Sequence, residues 1–563
     1  MTIAKTRKLG FFAAMAMLVG SVVGVGIFFK NGSISRATDG NGYAWLFAWI
    51  VGGIISLMAA INYSEISFLK PSKLNGLANW AYRAGGKKAG YATVFNYSFY
   101  YLVILTLLLS IIASEVTVFF INQASGYEIK LPFWVHILIA IGFLQFFTIL
   151  NWLSVKASGY VALTSTILKF VPLVIALFAG IFAATTYNDG GQSAFGNDYI
   201  NGVKDATGQF IKGKEPHPFD FSKLILALPA VLFAYDSFLS VGSLHNKVDK
   251  AEKRVPLIII VAMILIVSIY TLIALSSALH SKGSIDGLIR DAFPKSAAKP
   301  ITIFVFAFLL ISTYGVNNSV NAFFINQMKD LVNLDLIFGS KKIKQKFGKD
   351  KAVLFYLIFG LVMWGLITLI PSIAIPLPKA NSAIGQLEYG YGSDVIADAM
   401  SNFPSLIFYG LYMAIMVLYM VKKYKNPTKL HSQLTGKPIN KVLFWTSGVL
   451  ASLLILIAIV AFVYSQVEAV VVKTFGNSSA GIFEDNGLML TNLGSFLIFV
   501  FQLIVFFSFP LINYWLIKKF EKRCVLSEFE KNVELDSSSL STDSQNSNIV
   551  TNVVKYYSSI NDK

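Results

Sequence analysis

Apolar residues run along this chain in long unbroken stretches, separated by short polar or charged segments. Reading for such stretches gives spans at 10–29, 43–66, 92–120, 132–153, 160–185, 222–244, 256–279, 300–326, 352–376, 403–421, 441–466 and 489–517. Each is long enough to cross a hydrocarbon layer about 30 Å thick. Inside such a layer every backbone N–H and C=O must be bonded within the protein, which predicts helices. The period-two alternation of an outer-membrane barrel is missing from the sequence. The expected fold class is therefore all-α and integral to the membrane, with about twelve transmembrane helices. The first span follows Lys5, Arg7 and Lys8, as a signal peptide would. It is longer than a signal sequence's apolar core and has no small-residue cleavage site, so it is read as the first helix.

Composition agrees with this reading: 55% of residues are hydrophobic and 14% charged, and the mean hydropathy is +0.63. The net charge of +17 raises the question of nucleic acid. Its distribution gives a different answer. With a cytoplasmic N-terminus, most of the 47 Lys and Arg fall on the cytoplasmic side, the bias that sets orientation. Both termini are then cytoplasmic, and the expected location is the cell (plasma) membrane. The basic loop 327–351, with Lys329, Lys341, Lys342, Lys344, Lys346, Lys349 and Lys351, is expected to lie against anionic lipid headgroups. Lipid is thus an expected partner and nucleic acid is not. The lone cysteine, Cys524, forms no intrachain disulfide. Residues 536–552 are polar and of low complexity, and 518–563 is expected to be a disordered cytoplasmic tail.

Chemistry of an enzyme does not stand out. His136, His217, His245, His280 and His431 are scattered without metal-ligand spacing, and no phosphate-cradling glycine loop is present in the sequence. No catalytic residue, metal or cofactor is expected. What the sequence does offer is interrupted helix. Gly20, Gly24 and Gly26 fall in the first span, each weakening a helix by about 1 kcal/mol relative to alanine. They serve either close helix packing, Gly20 and Gly24 being a GxxxG pair, or an unwound segment whose freed N–H groups face an anion. The sixth span carries Pro229 and then Asp236. Interruptions at corresponding places in two halves point to inverted repeats around a central binding site.

The residues that carry these features resemble a known family. Gly20–Phe28, GSVVGVGIF, and Phe233–Phe238, FAYDSF, are similar to the paired signatures of the amino acid–polyamine–organocation permeases. So are Asn151–Gly159, Tyr63-Ser64-Glu65 and the charged stretch Asp249–Pro256. The resemblance covers roughly residues 8–420 and weakens after the eighth span. It implies a LeuT-type fold, a 5+5 inverted repeat with two additional helices. The repeats would be 1–185 and 222–421, separated by an extracellular loop at 186–221 and followed by two helices in 441–517. It also implies an amino acid substrate, its carboxylate on backbone N–H groups at Gly24, Val25 and Gly26. The ammonium would go to carbonyls at Val22, Phe233 and Asp236. A zwitterion suits such helix ends without burial of a formal protein charge. Three positions depart from the pattern: Val25 offers no hydroxyl to the carboxylate, and Ser237 and Leu239 replace a glycine and an acidic residue after the sixth-span aromatic–Asp pair.

Lys169 and Asp236 are the intramembrane charges to explain. Lys169 lies roughly 13 Å into the fifth span at about 1.5 Å per residue. It either snorkels or faces an internal cavity with a function. Lys169-Phe170-Val171-Pro172 resembles a lysine motif found where sodium-coupled relatives hold an ion, with Ser312 and Thr313 as candidate partners for its ammonium. Asp236 either caps the broken helix or contacts a basic substrate. Glu65 and Glu115 are expected at membrane interfaces. The function these readings converge on is secondary transport of amino acids by alternating access, sodium-independent and proton-coupled or by exchange. The rivals are a polyamine or cationic-amine transporter of the same fold and, from another class, a channel or membrane sensor. A channel calls for pore motifs repeated among subunits, and a sensor for a soluble output domain.

Overall fold

A computed structural model describes residues 11–534, apart from 187–193, 196–218, 240–250, 281–284, 375–392 and 472–486 and the single positions 24, 39, 75, 128, 130, 132, 154 and 237. In chain order the helices are α1 (Phe11–Val22), α2 (Val25–Ala37), α3 (Gly42–Ile66), α4 (Gly76–Asn96), α5 (Leu102–Ser125), α6 (Phe133–Leu153), α7 (Val155–Leu168), α8 (Phe170–Thr186), α9 (Phe221–Tyr235) and α10 (Ala251–Leu279). They continue as α11 (Ile285–Ala292), α12 (Lys295–Asn333), α13 (Ser340–Phe347), α14 (Lys349–Ala374), α15 (Ser393–Lys425), α16 (Pro427–His431), α17 (Lys441–Val470), α18 (Gly487–Phe520) and α19 (Val525–Val533). Among the described residues, ten helices are long and apolar enough to cross a membrane. The split pair α1–α2 and the shorter α9 occupy the first and sixth of the twelve expected crossings.

The outer face is apolar, unlike that of a water-soluble bundle, and polar residues also lie inside. Leu453, Ile457 and Val460 on α17 and Ile504, Phe507 and Leu511 on α18 are exposed, while Asn62, Asn317, Asn318 and Asn321 are buried. Apolar side chains lose nothing by facing lipid tails, so the interior is held by packing and by hydrogen bonds between helices. Two groups of helices result. In one, α3 packs on α9 and α10, α2 on α9, and α1 on α10. In the other, α12 packs on α5, α6, α7 and α14. Polar pairs tie the second group: Asn317 Nδ2 donates to Ser110 Oγ at 3.0 Å, Asn151 Nδ2 to Asn318 Oδ1 at 2.9 Å, and Asn321 Nδ2 to Thr148 Oγ1 at 3.0 Å.

Several crossings differ in detail from the sequence reading. The third begins at Gly76 rather than near 92, kinks at Gly86, where φ is 79°, and contains a π-helical turn at Tyr97–Tyr101. The fifth is not continuous, because α7 stops at Leu168 and α8 starts at Phe170. Pro172 has no N–H to give the Leu168 carbonyl, four residues back, which is where the helix opens. In the sixth crossing the helix runs through Pro229 and ends instead at Asp236. The first crossing continues past residue 29, with α2 reaching Ala37.

The region 518–563, expected to lack structure throughout, is ordered in its first part. The amphipathic α19 buries Val525, Phe529 and Val533. Phe529 meets the Tyr82 ring edge-on at 5.5 Å. Arg83 holds Glu534 with both terminal nitrogens, at 2.7 and 2.8 Å. These apolar positions recur at helical spacing, a period that the low-complexity run beyond them does not share. Residues 535–563 and most of the loop expected at 186–221 lie outside the described residues.

Candidate functional site

The first crossing opens between Val22 and Val25. The last turn of α1 closes with Val23 N–H donating to the Val19 carbonyl at 2.7 Å. Gly24 lies outside the described residues. At the start of α2 the first N–H groups have no carbonyl a turn earlier to bond and carry the positive end of the helix dipole. Gly26 sets the position of this helix end: a Cβ there would lie 2.8 Å from the Ala234 Cα. The N-terminal end of α2 therefore rests directly on the C-terminal end of α9. Gly26 is closely packed there, which leaves open what the N–H groups of the interruption bind.

At the end of α9, Asp236 leaves the helix with φ −60° and ψ 169°, and its N–H bonds the Phe233 carbonyl at 3.2 Å. Its carboxylate, buried at 6% exposure, accepts hydrogen bonds from Tyr101 and from the Tyr412 hydroxyl at 3.1 Å. The π-turn explains the reach of Tyr101. An inserted residue rotates the helix at Tyr97–Tyr101, and such turns recur at functional sites. Tyr101 stacks on Phe408 at 4.2 Å. Asp236 thus links the first helix group to crossings three and ten. Next to this cluster, a cavity of about 50 Å³ is lined by residues including Tyr97, Leu239, Phe323, Gln327 and Tyr412. It has room for water.

Two of the carbonyls singled out in the sequence already accept one bond each. The Val22 carbonyl takes the Tyr270 hydroxyl at 3.0 Å, and Phe233 takes the Asp236 N–H. A carbonyl has two lone pairs and can accept a second bond.

Lys169 sits at the α7–α8 interruption and is 3% exposed. Its N–H still bonds the Ser165 carbonyl at 3.0 Å. The packed pair α7–α12 shows its register in two contacts: Asn318 Nδ2 donates to the Ser158 carbonyl at 3.0 Å, and Ser165 presses on Gly315, where no side chain would fit. The two helices run in opposite directions along this seam, so one further turn brings Lys169 to the level of Ser312 and Thr313. The Thr313 hydroxyl donates to the Leu309 carbonyl at 2.8 Å. The buried Ser312 hydroxyl makes no hydrogen bond among the described residues.

Both glutamates expected at interfaces are buried, Glu65 at 0% and Glu115 at 4% exposure. Glu65 joins crossings two, ten and eleven: it accepts from Lys423 at 2.5 Å, Tyr419 at 2.8 Å and the Ile439 N–H at 3.1 Å. Those three donors satisfy a carboxylate that its place at a span end assigned to headgroups. Glu115 follows Ser114, whose hydroxyl pairs with His136 Nδ1 at 2.9 Å across α5 and α6.

Sequence reasoning missed one cation at the site. Lys30, placed outside the first span, lies one turn past Gly26 on α2 and is 3% exposed. Its ammonium stands 5.1 Å over the Phe233 ring and bonds the Ser401 hydroxyl of α15. The spacing from Gly26 was the available signal, masked by the assumption that a charge ends a span. Tyr101, Tyr412 and Tyr270 had no signal, since only the fold brings them to the breaks.

The amino acid permease model matches residues 9–482. A serine/threonine exchanger, SteT, from Bacillus subtilis is 24% identical over 269 residues, which is 47% of this chain and 53% of that one. An aspartate–proton symporter from the same organism is 22% identical, over 48% of each chain. The chain spans about half the length of these curated relatives. A solved structure of MhsT in complex with L-phenylalanine aligns with 80% of this chain and 98% of its own, at 13% identity and a TM-score of 0.46.

Proposed function

Because the chain belongs to the amino acid permease family, we propose that it is a secondary transporter moving amino acids across the plasma membrane by alternating access, with both termini cytoplasmic. The observation that carries the proposal is the apposition of the two interrupted crossings at Gly26 and Ala234. There the donor end of α2 and the acceptor end of α9 lie side by side. The N–H groups of Gly24, Val25 and Gly26 would take the carboxylate. The carbonyls of Val22, Phe233 and Asp236 would take the ammonium. The opposed dipoles favour a zwitterion over either ion alone. The relatives whose names speak of serine, threonine and aspartate support the same substrate class.

In this reading Asp236 caps the broken helix through its backbone, and its carboxylate fastens the moving helices to Tyr101 and Tyr412. Lys169 takes the place of a coupling cation. A fixed ammonium at the α7–α12 seam, with Ser312 and Thr313 at its level, repels a second cation and makes transport independent of sodium. Release of its proton in one state of the gate would couple transport to a pH gradient.

A thermal-shift panel on the purified protein tests the substrate class, since a ligand of the folded state raises its stability. Amino acids should raise the unfolding temperature and polyamines should not. A shift with polyamines alone would overturn the zwitterion site.

A further inference from the structure

We propose that residues 76–85, the cytoplasmic arm of the third crossing, form a lid over the cavity beside Asp236, and that α19 is the latch holding it shut. The inference rests on the transport reading and orientation above, which put both elements on the cytoplasmic side, and adds a control on the inner route.

The arm is set apart by a hinge. α4 leaves its helical path at Gly86, with φ 79° and ψ −171°, a conformation that glycine takes without steric cost and other residues rarely adopt. Ahead of this hinge the chain meets the cavity: Gly76 and Leu77 line it together with Tyr97, Leu239, Gln327 and Tyr412. Tyr412 donates to the Asp236 carboxylate at 3.1 Å, so the cavity adjoins the broken end of α9. Gln327 is buried, and its side-chain oxygen makes no hydrogen bond among the described residues. It is an acceptor that water or a passing polar group in the cavity can use.

The tail segment grips the arm along one edge. Arg83 gives both terminal nitrogens to Glu534, at 2.7 and 2.8 Å, and the Tyr82 hydroxyl adds a bond at 2.7 Å. The Phe529 ring meets Tyr82 edge-on. Just ahead of the arm, the Lys73 N–H donates to the Val533 carbonyl at 2.8 Å. The other edge is fastened to crossing eight: Asn532 Nδ2 donates to the Leu334 carbonyl at 3.1 Å, and Arg523 to the Asp335 carbonyl at 2.8 Å. The tail therefore joins the arm to the second helix group. α15 adds a hold of its own, from Lys422 to the Arg83 carbonyl at 2.5 Å. Elements that open and close are drawn from the less stable parts of a fold. The Glu534 side chain is 43% exposed, so its ion pair parts and re-forms at low cost.

The experiment uses the whole chain in proteoliposomes, with Cys524→Ser to remove its one thiol. Gln327→Cys then reports opening of the lid, through its rate of reaction with a membrane-impermeant thiol reagent applied to the cytoplasmic face. Glu534→Gln should speed that labelling about two- to fivefold, the effect of losing a partly exposed ion pair. Removal of residues 525–563 should speed it further. In a second protein, Arg83→Cys and Glu534→Cys joined by a short, reductant-cleavable bifunctional reagent should stop uptake of labelled L-serine, and reductant should restore it. Labelling that is unchanged in both loosened proteins overturns the proposal, as does uptake at full rate with the pair joined. If the shortened chain does not fold, Glu534→Gln and the joined pair decide. A wild type that carries no amino acid overturns the transport reading instead, and the labelling rates then judge the lid.

Discussion

Tyr101 donates a hydrogen bond to the carboxylate of Asp236, joining the π-turn of the third crossing to the broken end of the sixth. The bond spans the two helix groups, so any movement of one against the other must break or stretch it. Tyr412 supplies a second bond to the same carboxylate from α15. Tyr101→Phe and Tyr412→Phe should each change the balance between states, and the double variant should cost more than the sum. One remaining hydroxyl can still serve the carboxylate, whereas the double variant removes both of these donors from a buried charge, at about 1–3 kcal/mol or more. A double-mutant cycle on thermal unfolding measures this; simple additivity would show that the two hydroxyls act on separate things.

The same geometry fixes what Asp236→Asn should do. Its carboxylate is engaged by the protein, so neutral and basic amino acids should lose affinity together. Binding titrations with serine and arginine decide it, and a loss confined to arginine would assign Asp236 a direct substrate contact.

Gly26→Ala adds a methyl that meets the Ala234 backbone at 2.8 Å, where no flexible side chain can yield. We expect a destabilisation on the order of 1–3 kcal/mol together with weakened substrate binding. An unfolding temperature and affinity equal to wild type would mean that α2 and α9 are not in contact there.

How far the sequence reaches can be seen from these residues. The paired interruptions were legible because glycine, proline and aspartate are costly inside an apolar span, so their presence points to function. Asp236 was legible for the same reason. The exact stop at Asp236, rather than at Pro229, was not, because one proline leaves most of a helix's bonds intact. Nor was the burial of Lys30, Glu65 and Glu115, since a charge at a span end reads the same whether it faces headgroups or a partner helix. Tyr101 and Tyr412 are ordinary aromatic residues until the fold sets them against Asp236.

On the face bearing α19, burial opposes ionisation of Glu534, yet the bonds from Arg83 and Tyr82 hold its carboxyl below the usual range. A carboxyl whose folded pKa is depressed stabilises the docked tail fully above its unfolded pKa of about 4.3. That stabilisation is lost as pH falls through the lower folded value. Limited proteolysis should therefore release the tail more readily below about pH 4, and Arg83→Met should be released at neutral pH as well. A release rate flat across this window in wild type would remove Glu534 from the docking.

Lys169→Ala tests the coupling. Transport should slow far more than binding weakens, and uptake should lose its response to a pH gradient. An alanine variant with normal rates would leave Lys169 a buried structural cation.

The central claim is that this chain carries amino acids without sodium. It is tested most directly by counterflow of labelled amino acids into proteoliposomes preloaded with the unlabelled compound, in sodium-free and sodium-containing buffer. The account predicts accumulation above protein-free vesicles at equal rates in both buffers, abolished by Gly26→Leu. No accumulation of any amino acid, or accumulation only with sodium, would contradict it.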